Sequence, residues 1–148
     1  MSHTILLYYK YVPIENPQEL MDSHRVLCKS LNLKGRIILA EEGINGTVEG
    51  LTEDTEKYID AMKNDSRFAD IVFKKSAGIG DAFPKLSIKV RDEIVSSHLG
   101  EKDIDPNIVT GKRLDPTELD RWYENKEDFV LVDMRNEYEY GVGHFENS

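Results

Sequence analysis

The stretch Lys34 to Gly50, KGRIILAEEGINGTVEG, constrains this chain more than any other, because it reads as two strands joined back to back. Arg36 to Ala40 is an apolar, β-branched run, and Thr47 to Glu49 resumes the alternation. Between them Gly43 to Gly46 is expected as the turn, since Gly and Asn take positive φ without strain. A hairpin needs neighbouring strands and cover on one face, and the flanking sequence offers both.

Thr4 to Val12 is rich in aliphatic and tyrosine residues and is closed by Pro13, as a central strand would be. Asn16 then caps a helix with Pro17 at its first position, and Leu20, Met21, His24, Leu27, Cys28 and Leu31 recur at helical spacing. Cys28 and His24 share that apolar stripe and are therefore expected as packed core residues. After the hairpin, Thr52 is expected as the N-cap of a second helix whose stripe is Thr55, Tyr58, Ile59 and Met62. Asp70 to Ser76 supplies a fourth strand. The order β-α-β-β-α-β predicts an α+β domain of the ferredoxin-like type, an antiparallel sheet with both helices on one face.

An added strand follows. From Phe83 to Arg91, Leu86, Ile88 and Val90 point one way and Lys85, Ser87, Lys89 and Arg91 the other. With Lys74 and Lys75, positions 74 to 91 carry five cations against Asp81, net +4, while the whole chain is at −9 and its remainder therefore at −13. Lys74, Lys75, Lys85, Lys89 and Arg91 are candidate RNA-binding residues, because cations at roughly 6.6 Å steps along a strand suit a run of phosphates. The alternative is that lysines protect an exposed sheet edge from pairing.

Residues 1–95 are thus expected as one domain and 96–111 as a polar linker. Residues 112–148 are expected as the start of another domain. In this last segment Asp115 caps a short helix with Pro116 at its first position, reaching about Asn125, and Phe129 to Val132 reads as a buried strand ending at Asp133. A strand this apolar wants partners on both sides. Without them it is expected to lie disordered, to fold back, or to pair with a second copy of the chain.

The acidic balance disfavours anionic partners on average, and a lone cysteine rules out an internal disulfide. No apolar run is long enough to span a bilayer, no leader pattern precedes the first strand, and His3, His24, His98 and His144 lack metal-ligand spacing. A cytoplasmic protein without membrane contact, bound metal or bound cofactor is expected. Acylphosphatase chemistry is not, since the loop Val12 to Asn16 has neither arginine nor a glycine-rich phosphate cradle.

The run VLVDMRNEYEYGVGHF, Val130 to Phe145, resembles the opening signature of rhodanese-like domains. Together with AEEGINGT (Ala40 to Thr47), Phe83 to Leu86, Arg91 to Val95 and LDPTEL (Leu114 to Leu119), the whole chain resembles the N-terminal part of the rhodanese-related TrhO family of tRNA uridine hydroxylases. The resemblance implies an acylphosphatase-like, ferredoxin-like first domain and an incomplete rhodanese-like α/β domain. It further implies hydroxylation of the wobble uridine at carbon 5, with molecular oxygen as co-substrate and tRNA as partner. Asp133, Arg135, Glu139 and His144 match the rhodanese signature, with a structural role expected. The family's catalytic cysteine lies beyond Ser148, so no catalytic residue is expected here and Cys28 does not replace it. A sulfurtransferase and a non-catalytic protein-interaction module are the competing readings.

Overall fold

β1 (His3–Tyr11) is an interior strand of the first folded unit, flanked on one side by β3 (Gly43–Leu51) and on the other by β4 (Phe73–Gly78), both antiparallel to it. β2 (Lys34–Ala40) pairs antiparallel with β3, and β5 (Leu86–Val90) adds to β2 in parallel, giving the sheet order β4-β1-β3-β2-β5. This computed structural model describes residues 2–96 and 104–148; His98 and most of the expected linker's first half lie outside them. The chain divides into two compact units, Met1–Thr110 and Gly111–Ser148.

Helices α1 (Pro17–Ser30) and α2 (Thr52–Asn64) cover one face of the sheet. The Asn16 side chain accepts from the Glu19 N–H at 3.1 Å to start α1. The helix stops where Asn32 turns left-handed (φ 50°) and the Leu33 N–H returns to the Cys28 carbonyl at 2.9 Å. Leu6, Tyr8, Ile37, Leu39, Ile44 and Val48 from the strands meet Leu20, Cys28, Tyr58 and Met62 from the helices in one core. Each fully buried aliphatic side chain there contributes about 1.5–3 kcal/mol relative to exposure. The α+β, ferredoxin-like arrangement expected from the element order is the one observed, with β5 as the added strand.

Three local expectations are corrected. The hairpin reverses at Glu41 and Glu42, with Ala40 opposite Gly43, so Ile44, Asn45 and Gly46 belong to β3. Gly46 is needed for packing instead of turning: a Cβ there would lie 2.4 Å from the Tyr8 ring. Thr52 is the first residue of α2, whose cap is Leu51, and the threonine hydroxyl is engaged with Ser2 and Thr4. Phe129 to Val132 forms no strand, with Val130 88% and Val132 66% exposed, because the described residues of the second unit offer no strand to pair with.

The second unit holds α3 (Pro116–Asn125) and α4 (Glu137–Val142). Asp115 caps α3 by accepting from the Thr117 N–H at 2.9 Å, and Lys126 ends it in the left-handed conformation (φ 55°). The Phe129 ring packs against Trp122 and Tyr123, with centroids 5.5 and 5.2 Å away.

Candidate nucleic-acid interface

The strand register sorts side chains onto two faces, since residues opposite each other across a ladder share a face. The helix-covered face takes Leu6, Tyr8, Ile44, Val48, Ile37 and Ile88. On the other face one cross-strand row reads Lys74, Leu7, Thr47, Arg36, Ser87, and the next reads Tyr9, Asn45, Ile38, Lys89. Lys34 stands beside Glu49 and Ile5 in a third row. Lys85 and Arg91 continue β5 at its two ends, their backbones bonded to Gly35 and Leu39 at 3.2 and 2.9 Å.

Two chain crossings bound this face. The β4 to β5 connection passes over its His3 end, where the buried Glu49 carboxylate accepts from the Gly80 and Ala82 N–H groups at 2.8 and 2.9 Å. The segment after β5 passes over the hairpin end, where the Ile94 N–H donates to the Glu42 carboxylate at 2.6 Å and the Asn45 amide donates to the Ile94 carbonyl at 3.2 Å. Glu49 is the one carboxylate among the five strands, and those two N–H groups occupy it.

The five expected cations do not form one patch. β4 and β5 are opposite edges of the sheet, so Lys74 is separated from Lys89 by three strands. Lys75 lies opposite Leu6 on the helix-covered side and pairs with Glu56 of α2 at 2.6 Å. Lys85, Lys89 and Arg91 stay together along β5, exposed, and Lys34 and Arg36 of β2 join them. None of Lys34, Arg36, Lys74, Lys85, Lys89 and Arg91 pairs with a carboxylate of the described residues. Sequence reading overlooked Lys34, Arg36 and Tyr9; their signal was alternation within β1 and β2 once those strands are taken as two-faced.

The signature residues of the second unit converge on one another. The Arg135 guanidinium donates to both Asp133 oxygens, the shortest contact being 2.6 Å, and to the Gly143 carbonyl at 2.7 Å. Arg135 thereby holds the Asp133 carboxyl down at about 2. Glu139 accepts from the Asn136 N–H at 3.2 Å, and the His144 ring stacks on Tyr140 at 3.8 Å. Fixing a loop is what this geometry does.

Cys28 is fully buried, and burial pushes its thiol up to about 12. A cleft of about 640 Å³ lined by Glu15, Glu41, Glu42, Asp92 and Asp105 has the wrong sign for a phosphate ligand. Among the described residues no three His, Cys, Asp or Glu side chains are placed to hold a metal ion, and no helix is long and apolar enough to cross a membrane.

A family model described as the UPF0176 acylphosphatase like domain matches residues 3–94. A curated protein of Bacillus licheniformis named tRNA uridine(34) hydroxylase is 51% identical over 146 residues, covering 97% of this chain and 44% of that protein. Proteins of the same name from Bacillus cytotoxicus and Staphylococcus haemolyticus are 52% and 48% identical, covering 97% and 98% of this chain and 44% and 45% of their own. The chain therefore spans less than half the length of these relatives. Among solved structures, BlrB, described as a BLUF protein, superimposes with a TM-score of 0.55 at 19% identity, over 84% of this chain and 97% of that one, a likeness of fold alone. With the sheet order, the helix-covered face and the family match in agreement, and beside relatives that carry the name tRNA uridine(34) hydroxylase, the chain belongs to the UPF0176 acylphosphatase-like family.

Proposed function

We propose that this chain is the N-terminal part of a tRNA uridine hydroxylase acting at the wobble position, and that its own contribution is to hold the RNA. The observation that carries this reading is the run Lys85, Lys89 and Arg91 along β5, cations that pair with no carboxylate of the described residues, on a sheet whose one strand carboxylate is already occupied. Those cations contact phosphates, and the contact is salt-dependent because counterions are released. The hydroxylation, forming 5-hydroxyuridine with molecular oxygen as co-substrate, belongs to a cysteine of the rhodanese-like part downstream of His144. Asp133 and Arg135 fix a loop of that part, and the chain by itself is catalytically inactive.

The test has two arms. Nucleoside mass spectrometry of tRNA from cells lacking the parent gene should show 5-hydroxyuridine restored by the intact gene and not by this 148-residue piece. In vitro, the triple variant K85E/K89E/R91E should lose most tRNA affinity at low salt. Modification unchanged by deletion, or binding indifferent to the charge reversal, overturns the respective half.

A further inference from the structure

Resting on the reading that this part holds RNA, we propose that the uncovered sheet face, and not the β5 edge alone, is the contact surface, that it takes single-stranded nucleotides, and that Tyr9 is the residue on which a base stacks. Tyr9 is 62% exposed, on an interior strand of a sheet whose opposite face carries the helices and the core. An aromatic ring left open at such a place supplies a flat apolar platform, and every base has a π-face to lay on it. Leu7, 44% exposed, extends the apolar floor one row away, and Tyr11 stands on the other side with its ring centroid 6.4 Å from that of Tyr9.

The charges around that floor select the occupant. Lys74 stands in the Leu7 row on one edge, Arg36 in the same row on β2, and Lys89 closes the Tyr9 row on the other edge. Three strand spacings, about 14 Å, separate Tyr9 from Lys89, so a strand laid across the sheet meets aromatic ring and cation in turn. Thr47, half-buried between Leu7 and Arg36, adds a hydroxyl at the depth of a base edge. An acidic protein surface would satisfy the cations and waste the ring; a duplex would satisfy the phosphate contacts and keep its bases stacked inside. Unpaired nucleotides, such as those of an anticodon loop, use both.

Binding of two fluorescein-labelled probes by the 148-residue chain, followed by anisotropy, tests this: a single-stranded uridine-rich heptanucleotide RNA and a duplex RNA of matched charge. The single strand should bind at least about tenfold tighter. Tyr9→Ala should weaken single-strand binding about 5- to 100-fold and leave the duplex within twofold. Tyr9→Leu, which keeps the apolar area and the strand but removes the ring, should lose affinity likewise, and Tyr9→Phe should stay within twofold of the parent. Arg36→Ala should lower the salt slope for both probes by about one. Thermal melting of each variant by circular dichroism checks that the exposed substitutions leave the fold intact. Binding of both probes that is lost in K85E/K89E/R91E but unmoved by the Tyr9 variants overturns this inference and leaves the edge reading standing. No binding of either probe at low salt overturns both. RNA binding unmoved while Tyr9→Ala shifts the sedimentation coefficient identifies the face as a protein contact and overturns the inference as well.

Discussion

The hydroxyls of Tyr8 on β1 and Tyr58 on α2 lie 2.5 Å apart in the middle of the core, both rings fully or almost fully buried. Burial pushes both hydroxyls far above the ordinary tyrosine range, so one donates to the other and neither ionises. Tyr58→Phe leaves the Tyr8 hydroxyl without that partner and should cost about 1–3 kcal/mol, whereas the double variant Y8F/Y58F should cost less than the two single losses together. Gly46→Ala, which drives a Cβ into the Tyr8 ring, should cost a further about 1–3 kcal/mol. Urea unfolding of the parent and of four variants, Tyr8→Phe among them, checks all three expectations.

Glu49 anchors the β4 to β5 connection through two backbone N–H groups. Glu49→Ala should strand both donors and lower stability by about 1–3 kcal/mol, with Glu49→Gln intermediate because an amide offers one acceptor oxygen. Hydrogen exchange should place the first loss of protection at Gly80 and Ala82.

His24 is buried against Met62, Tyr58 and Phe68, and burial lowers its pKa, reinforced by Arg67 and opposed by Asp65 and a bond to the Leu20 backbone. The unfolded chain therefore binds the proton first. The His24 contribution should be fully present above about pH 6.5, decline as the pH falls below that value, and level off under the lowered folded pKa. Replacing His24 by Leu should flatten the stability profile just below about pH 6.5, measured by denaturant titration at several pH values.

Asp133 owes its depressed pKa of about 2 first to the Arg135 guanidinium. Arg135→Ala should return the carboxyl toward about 3.9 and free the backbone at Gly143, whose carbonyl Arg135 also binds. Carboxyl-selective NMR titration of Asp133 reads the first effect, and amide exchange at residues 143–145 reads the second.

Helix starts at Asn16-Pro17 and Asp115-Pro116, the apolar stripes of α1 and α2, and the two-faced β5 were all legible in the sequence, because caps and periodicities are properties of adjacent residues. So was the burial of Cys28, which follows from its place in the α1 stripe. The position of the hairpin turn was not: Gly46 looks like a turn residue until Tyr8, thirty-eight positions earlier, is known to press against it. Nor was the division of the cations. Alternation along β4 parts Lys74 from Lys75, but only the tertiary structure sends Lys74 and Lys89 to opposite edges of the sheet and brings Glu56 of α2 beside Lys75. Strand pairing joins residues far apart in the chain, so which side chains share a face, and whether an apolar run such as Phe129 to Val132 becomes a strand at all, depends on partners that local sequence does not contain.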